Sequence, residues 1–219
     1  MPIRAFLFDF DGLLVDTETA SRAGWELLYR EHGHELPPEK WALMVGTVDG
    51  WDIWGHLEEL AGEPLDRETL NARRVAHELS LLELEVLRPG IAEYLGAATR
   101  LGLRRAIVSS SSRAWIDRHL ARLEHTAGWD AIVTADYDAE RAKPRPTLYL
   151  EALERLGVSA GEAVAFEDSP NGVRAATGAG IFTVGVPNAI TRELGLEGAD
   201  LVVDSLADLP PDALIARLG

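Results

Sequence analysis

From about residue 89 onward, short apolar runs alternate with amphipathic stretches, and this rhythm constrains the chain more than any other feature. Ala106 to Val108, Ala131 to Val133, Ala163 to Phe166, Phe182 to Val186 and Leu201 to Val203 have the length and apolar character of strands buried on both faces. Residues 91–101, 113–123, 146–156 and 171–179 carry helical spacing between them. Strands that alternate with helices fold as βαβ crossovers, so the pattern predicts a parallel sheet. Residues 3–8, Ile-Arg-Ala-Phe-Leu-Phe, supply one more buried strand at the start. Residues 19–84 break the rhythm: Ala23 to Glu31, Asp52 to Leu60 and Glu68 to Leu84 read as helices with no comparable strand between them. The Pro-Gly pair in "LRPGI", residues 87–91, ends this helical insertion and returns the chain to the sheet.

Composition narrows what such an α/β chain does. At 219 residues and 47% hydrophobic content it has enough apolar side chains for a full core plus a sizeable insertion. The 36 acidic against 21 basic residues give a net charge of −15, which argues against a nucleic-acid partner. Without cysteine there is no disulfide, thiolate metal site or cysteine nucleophile. The chain has no apolar span of about 18 residues and no basic-then-apolar leader, so no membrane partner is expected and a soluble cytoplasmic protein, monomer or weak homodimer, is the default. None of the six histidines has a partner at metal-binding spacing.

In a parallel sheet, ligands bind at the carboxyl ends of the strands. The residues that follow the apolar runs form one chemical set. Asp9 and Asp11 end the first strand, Ser109 and Ser110 the second, Glu167 and Asp168 the fourth, and Lys143 follows the third by a loop. Carboxylates at i and i+2 on a strand end repel each other and resist desolvation unless a cation or a shared proton compensates. Several carboxylate oxygens suit Mg²⁺, with Asp9 and Asp168 as direct ligands. Asp9 is placed to attack phosphorus, Asp11 to move a proton at the leaving oxygen, Lys143 to neutralise the phosphoryl dianion, and Ser109 to hydrogen-bond it. The bland alternatives are that Asp9 and Asp11 serve as loop or capping carboxylates and Lys143 as an exposed loop lysine. Ser111 or Ser112 is expected to cap the helix that begins near Arg113, and Asp16 the first helix.

"DFDGLLVDTE" at 9–18, "IVSSSS" at 107–112, "AKPRPTLYLEAL" at 142–153 and "AFEDSPNGVRAATGAG" at 165–180 resemble, in order and spacing, the four motifs of the haloacid dehalogenase superfamily. The insertion resembles the helical cap of its subgroup of β-phosphoglucomutases and sugar-phosphate phosphatases. The resemblance implies a Rossmann-like parallel-sheet core over residues 1–16 and 88–219 and an inserted cap domain over 17–87. It also implies an aspartyl-phosphate on Asp9, with Asp11 as general acid/base. Mg²⁺ would be held by Asp9, the Asp11 backbone carbonyl and Asp168, with Glu167 outside the direct ligands. Ser110 and, from the cap loop "VGTVDGW", Thr47 and Asp49 are the expected substrate contacts.

Departures from the subgroup's patterns sort its activities. Mutases of this type carry a cap histidine where this chain has Ser21 and a cap arginine about where Asp49 stands, and a carboxylate in place of a cationic anchor works against rebinding a second phosphate. Dehalogenases lack the second aspartate, whereas Asp11 is present; phosphonate cleavage requires a cap lysine, and Lys40 alone is available between residues 19 and 84. The expected activity is hydrolysis of a small phosphorylated metabolite, a sugar phosphate foremost. A phosphosugar mutase and a noncatalytic metabolite-binding or regulatory module are the competing readings. Cap movement is expected about hinges near residues 16–20 and 85–90. Trp51 and Trp54, read as one helical face, are expected to pack the cap's own core.

Overall fold

The computed structural model describes residues 2–41, 43–46 and 50–219. Its first strand, β1 (Ala5–Phe8), lies at the centre of a six-stranded sheet whose ladders are all parallel. The others are β2 (Arg104–Ser109), β3 (Ala131–Thr134), β4 (Ala163–Glu167), β5 (Phe182–Gly185) and β6 (Leu201–Val202), in the order β3-β2-β1-β4-β5-β6. Leu7 is in register with Ala106 on one side and Ala165 on the other. This is the Rossmann-like α/β fold the strand rhythm and motifs led us to expect.

Alternate residues of each strand face opposite layers. Ala5, Leu7, Ala106 and Ala165 pack under α7 (Thr147–Leu156) and α8 (Pro170–Gly178), where small side chains allow close helix approach. Phe6, Phe8, Ile107 and Phe166 face α5 (Ile91–Leu101), α6 (Arg113–Arg122) and α9 (Pro211–Leu218). The phenylalanines form one aromatic cluster with Tyr94: Phe8 and Phe166 stack with centroids 4.9 Å apart, and Phe6 meets Phe166 edge-on at 5.4 Å. Burying each such ring contributes about 1.5–3 kcal/mol, so the centre of the sheet is also its most firmly held part.

Between β1 and α5 lie α1 (Thr17–Glu31), α2 (Pro38–Trp41), α3 (Ile53–Ala61) and α4 (Arg67–Leu82). They enclose a separate apolar cluster of Trp25, Leu28, Tyr29, Leu36, Trp41, Val45, Ile53 and Leu57. Asp16, Asp52 and Asp66 cap α1, α3 and α4, each accepting a backbone N–H from its helix's first turn. The Asp52 cap corrects one expectation. Trp51 precedes the helix and does not share a face with Trp54; Trp54 packs edge-on against Trp25 at 4.8 Å, and Trp51 lies against His56. The return to the sheet, residues 83–90, is fastened by Arg88. Its backbone N–H donates to the Leu14 carbonyl at 2.9 Å, and its guanidinium donates to the carbonyls of Gly12, Val186 and Pro187. No helix among the described residues is long and apolar enough to cross a membrane.

Candidate active site

The carboxyl edge of the sheet gathers the charged residues into one buried layer. The Lys143 ammonium sits between two carboxylates, 2.5 Å from Asp9 Oδ1 and 2.6 Å from Glu167 Oε1. Asp9, Ser109, Lys143, Glu167 and Asp168 are all buried. The loop after β3 delivers Lys143, whose backbone N–H donates to Ser110 Oγ at 3.2 Å. Glu167 also accepts the Tyr149 hydroxyl from α7. Asp168 accepts from Asn188 Nδ2 at 2.7 Å, and the Asn188 side chain is itself fixed, its Oδ1 accepting the N–H groups of Ile190 and Thr191.

Two glycines make room for this layer. A Cβ on Gly12, whose φ of +80° already favours glycine, would lie 2.0 Å from Asp168 Oδ2. A Cβ on Gly172, in the first turn of α8, would lie 1.7 Å from Glu167 Oε2.

The layer holds more negative charge than its lysine balances. Burial, against the pull of Lys143, raises the Asp9 carboxyl and takes Glu167 up to about 8; Asp168 is pushed well above the usual carboxylate range by burial and by Asp9 and Glu18. Burial alone would lower the Lys143 ammonium, but Asp9 and Glu167 together reverse that and keep it charged. Asp9, Glu167 and Asp168 offer oxygens within 4.8 Å of one another, and Glu167 Oε2 is buried with no hydrogen-bond partner. An all-oxygen donor set with an unsatisfied buried oxygen fits a hard divalent cation such as Mg²⁺.

Asp11 stands above this layer, half-buried, and its carboxylate is held by four donors. Oδ1 accepts from Thr17 Oγ1 at 2.9 Å and Trp115 Nε1 at 2.8 Å; Oδ2 accepts from Ser111 Oγ at 2.7 Å and Ser109 Oγ at 3.1 Å. The Ser109 hydroxyl, expected to meet a phosphate, is thus directed at Asp11, and it also accepts the Ser111 N–H at 3.0 Å. Ser112 caps α6.

Asp9, Asp11, Ser109, Ser110 and Lys143 open into a cavity of about 530 Å³ between the sheet edge and the helical segment. Its far wall includes Glu18, Ser21 and Trp25 of α1, Trp41, and Arg74 and Glu78 of α4, the last two paired at 2.8 Å. Burial and the nearby Asp11 and Asp9 take Glu18 up to about 8. Thr47 and Asp49 lie outside the described residues; their neighbours Met44 and Gly46 line the cavity. The sequence reading did not name Asn188, Tyr149 or Trp115. Asn188 follows β5 at the same sheet edge, so the strand-end rule reaches it; Tyr149 lies within the motif stretch 142–153 but inside α7, beyond the strand end, and Trp115 sits inside α6 with no motif to mark it.

A family profile for haloacid dehalogenase-like hydrolases matches residues 3–180. YhcW of Bacillus subtilis, provisionally named a phosphatase, is 41% identical over 216 residues, covering 99% of this chain and 98% of its own. Hexitol phosphatase A of Escherichia coli is 32% identical, covering 95% of this chain and 94% of its own. Among solved structures, an aspartate-to-asparagine mutant of CbbY from Rhodobacter sphaeroides, in complex with xylulose 1,5-bisphosphate, superposes with a TM-score of 0.75 at 29% identity, covering 94% of this chain and 96% of that one. With its sheet order, its four motifs and these relatives in agreement, the chain belongs to the haloacid dehalogenase-like hydrolases.

Proposed function

We propose that this hydrolase is a Mg²⁺-dependent phosphatase of small phosphorylated metabolites, sugar phosphates foremost, and that it works through a phosphoaspartate at Asp9. The observation that carries the reading is the Asp9–Lys143–Glu167 layer, buried beneath a cavity large enough for a phosphorylated metabolite and with Asp11 at its mouth. The names of the relatives support the phosphatase class. Bound through Asp9, Asp168 and the Asp11 carbonyl, with Glu167 behind them, Mg²⁺ would supply positive charge to the phosphoryl oxygens.

The chain's own residues divide the work. Asp9 attacks phosphorus, forming an Asp9 O–P bond as the bond to the substrate oxygen breaks, and Asp11 gives its proton to that leaving oxygen. Water then attacks the phosphoaspartate, its proton returns to Asp11, and inorganic phosphate leaves with Asp9 restored. Lys143 neutralises the transferring group and orients Asp9, while Ser109 and Ser110 line the phosphate corner. The mutase alternative finds less support, because Ser21 lines the cavity where such mutases carry a histidine. We assign residues 17–87 to a cap domain over the core of 1–16 and 88–219, with Thr47 and Asp49 among its specificity residues. Its closure about the linkers would exclude bulk water.

The test is inorganic phosphate release from a panel of phosphorylated sugars, nucleotides and small acids, with Mg²⁺ or EDTA, by wild type and Asp9→Asn. Metal-dependent release that the substitution abolishes is expected. A folded protein that releases nothing, but converts a sugar 1-phosphate to the 6-phosphate when given bisphosphate, would replace the phosphatase reading with the mutase.

A further inference from the structure

The four donors on Asp11 are not equivalent. Thr17, Ser109 and Ser111 offer hydroxyls, which donate to an ionised carboxylate and can rotate to accept from a protonated one. The indole N–H of Trp115 can only donate. Its 2.8 Å bond to Oδ1 favours a bare oxygen there, because the hydroxyl oxygen of a protonated carboxyl is the weaker acceptor. When Asp11 is protonated, the proton is therefore favoured on Oδ2, on the side of Ser109 and Ser111.

The indole is held firmly enough to impose this. It packs edge-on against His119 with centroids 4.2 Å apart; His119 is buried, neither ring nitrogen has a hydrogen-bond partner, and burial lowers it to about 4, so a neutral ring wedges the indole. His119 in turn meets Phe10, the residue between the two motif aspartates. Ser112 fixes the Trp115 backbone by accepting its N–H at 3.2 Å. Trp115 also lines the cavity.

We propose that Trp115 is the positioning residue of the general acid: its indole N–H keeps Asp11 Oδ1 unprotonated and presents the proton on Oδ2 to the leaving oxygen. The proposal rests on the proton role given to Asp11 above. In the first half-reaction it makes Trp115 matter only when the leaving group needs a proton, whereas the water step, which returns a proton to Asp11, is common to all substrates. An activated aryl oxygen departs as a stable anion, whereas an alkyl or sugar alkoxide must be protonated as it leaves.

The experiment compares wild type, Trp115→Phe and Asp11→Asn on 4-nitrophenyl phosphate and on an alkyl monophosphate such as glycerol 3-phosphate, under saturating Mg²⁺. The readout is kcat/KM, which reports the first half-reaction up to departure of the leaving group, because the water step is common to both esters. Trp115→Phe is expected to lower kcat/KM on the alkyl ester by roughly tenfold or more, the scale of one hydrogen bond to a charged group, and on the aryl ester by much less. Asp11→Asn should lose about a hundredfold or more in kcat/KM on the alkyl ester and much less on the aryl one. If Asp11→Asn lowers both kcat/KM values equally, the acid role of Asp11 fails. If Asp11→Asn discriminates and Trp115→Phe does not, Trp115 is not the positioning residue. Should Trp115→Phe fold poorly, β-(3-benzothienyl)alanine at position 115, which swaps the N–H for sulfur in the same bicyclic shape, repeats the comparison, and equal loss on both esters overturns the proposal.

Discussion

Two walls face each other across the cavity, and they are built to different tolerances. On the sheet side, Asp9, Lys143, Glu167 and Asp168 are fully enclosed, cross-linked by contacts of 2.5 to 2.7 Å, and backed by glycines at positions where no side chain fits. On the helical side, Arg74 and Glu78 pair with each other along one helix, Arg74 lies over the Trp25 ring at 5.0 Å, and Glu18 is only half-buried. A Cβ on Gly24 of α1 would come within 3.1 Å of the flexible Arg74 side chain and 3.2 Å of its backbone oxygen, a tight fit rather than a clash. The sheet wall is thus the more tightly set of the two, and the helical wall the one with room to adjust.

The comparison breaks first at the proposed nucleophile. Asp9→Asn should lower kcat by about 10⁴-fold or more on every phosphate ester, because a reacting atom is gone, with a far-UV spectrum like that of wild type. Gly172→Ala comes next: a methyl group driven into the Glu167 carboxylate should destabilise the fold by about 1–3 kcal/mol, measured by urea denaturation, and weaken Mg²⁺ dependence of turnover. The same substitution in the opposite wall, Gly24→Ala, should change stability by no more than about 1 kcal/mol, since improved helix propensity offsets the crowding, and should act mainly on KM. Equal damage from the two alanines would dissolve the distinction between the walls.

The smallest effect is a pH dependence. The Glu18 carboxyl is raised from 4.5 to about 8, so the folded protein holds that proton more tightly than the unfolded chain does. The stability it contributes is complete below about pH 4.5 and lost as pH rises through about 8. In metal-free protein, Glu18→Gln should therefore show a shallower fall in Tm over that interval than wild type. An unchanged slope would mean that the helical wall carries no strained carboxyl.

Much of this was legible in the sequence, and the limits have physical causes. The parallel sheet followed from strands buried on both faces, and α5 spans the same residues, 91–101, as its periodicity indicated. The Asp9, Asp11, Lys143, Glu167 and Asp168 cluster followed from what comes after each strand. The same rule, extended to β5, would have found Asn188. α1 starts at Thr17, set by the Asp16 cap the sequence pointed to, so it runs ahead of the helical spacing legible from Ala23; Trp51 escapes the helix because Asp52 starts a new one behind it. Trp115 was hidden for a deeper reason. A side chain that reaches from a helix to the end of a strand about a hundred residues away leaves no local periodic trace, and only the folded sheet brings it to Asp11.

The place of β1 has a consequence for how the chain reaches its native state. Both its neighbours lie far downstream: Ala5 pairs with Arg104 on one side and Ala163 on the other. Until Ala163 has emerged from the ribosome, the segment Ala5-Phe6-Leu7-Phe8 has an open edge, and until α5 and α6 emerge nothing covers its aromatic face, the condition under which nascent chains associate wrongly. The strand that leads to the proposed nucleophile is thus completed only long after it is made.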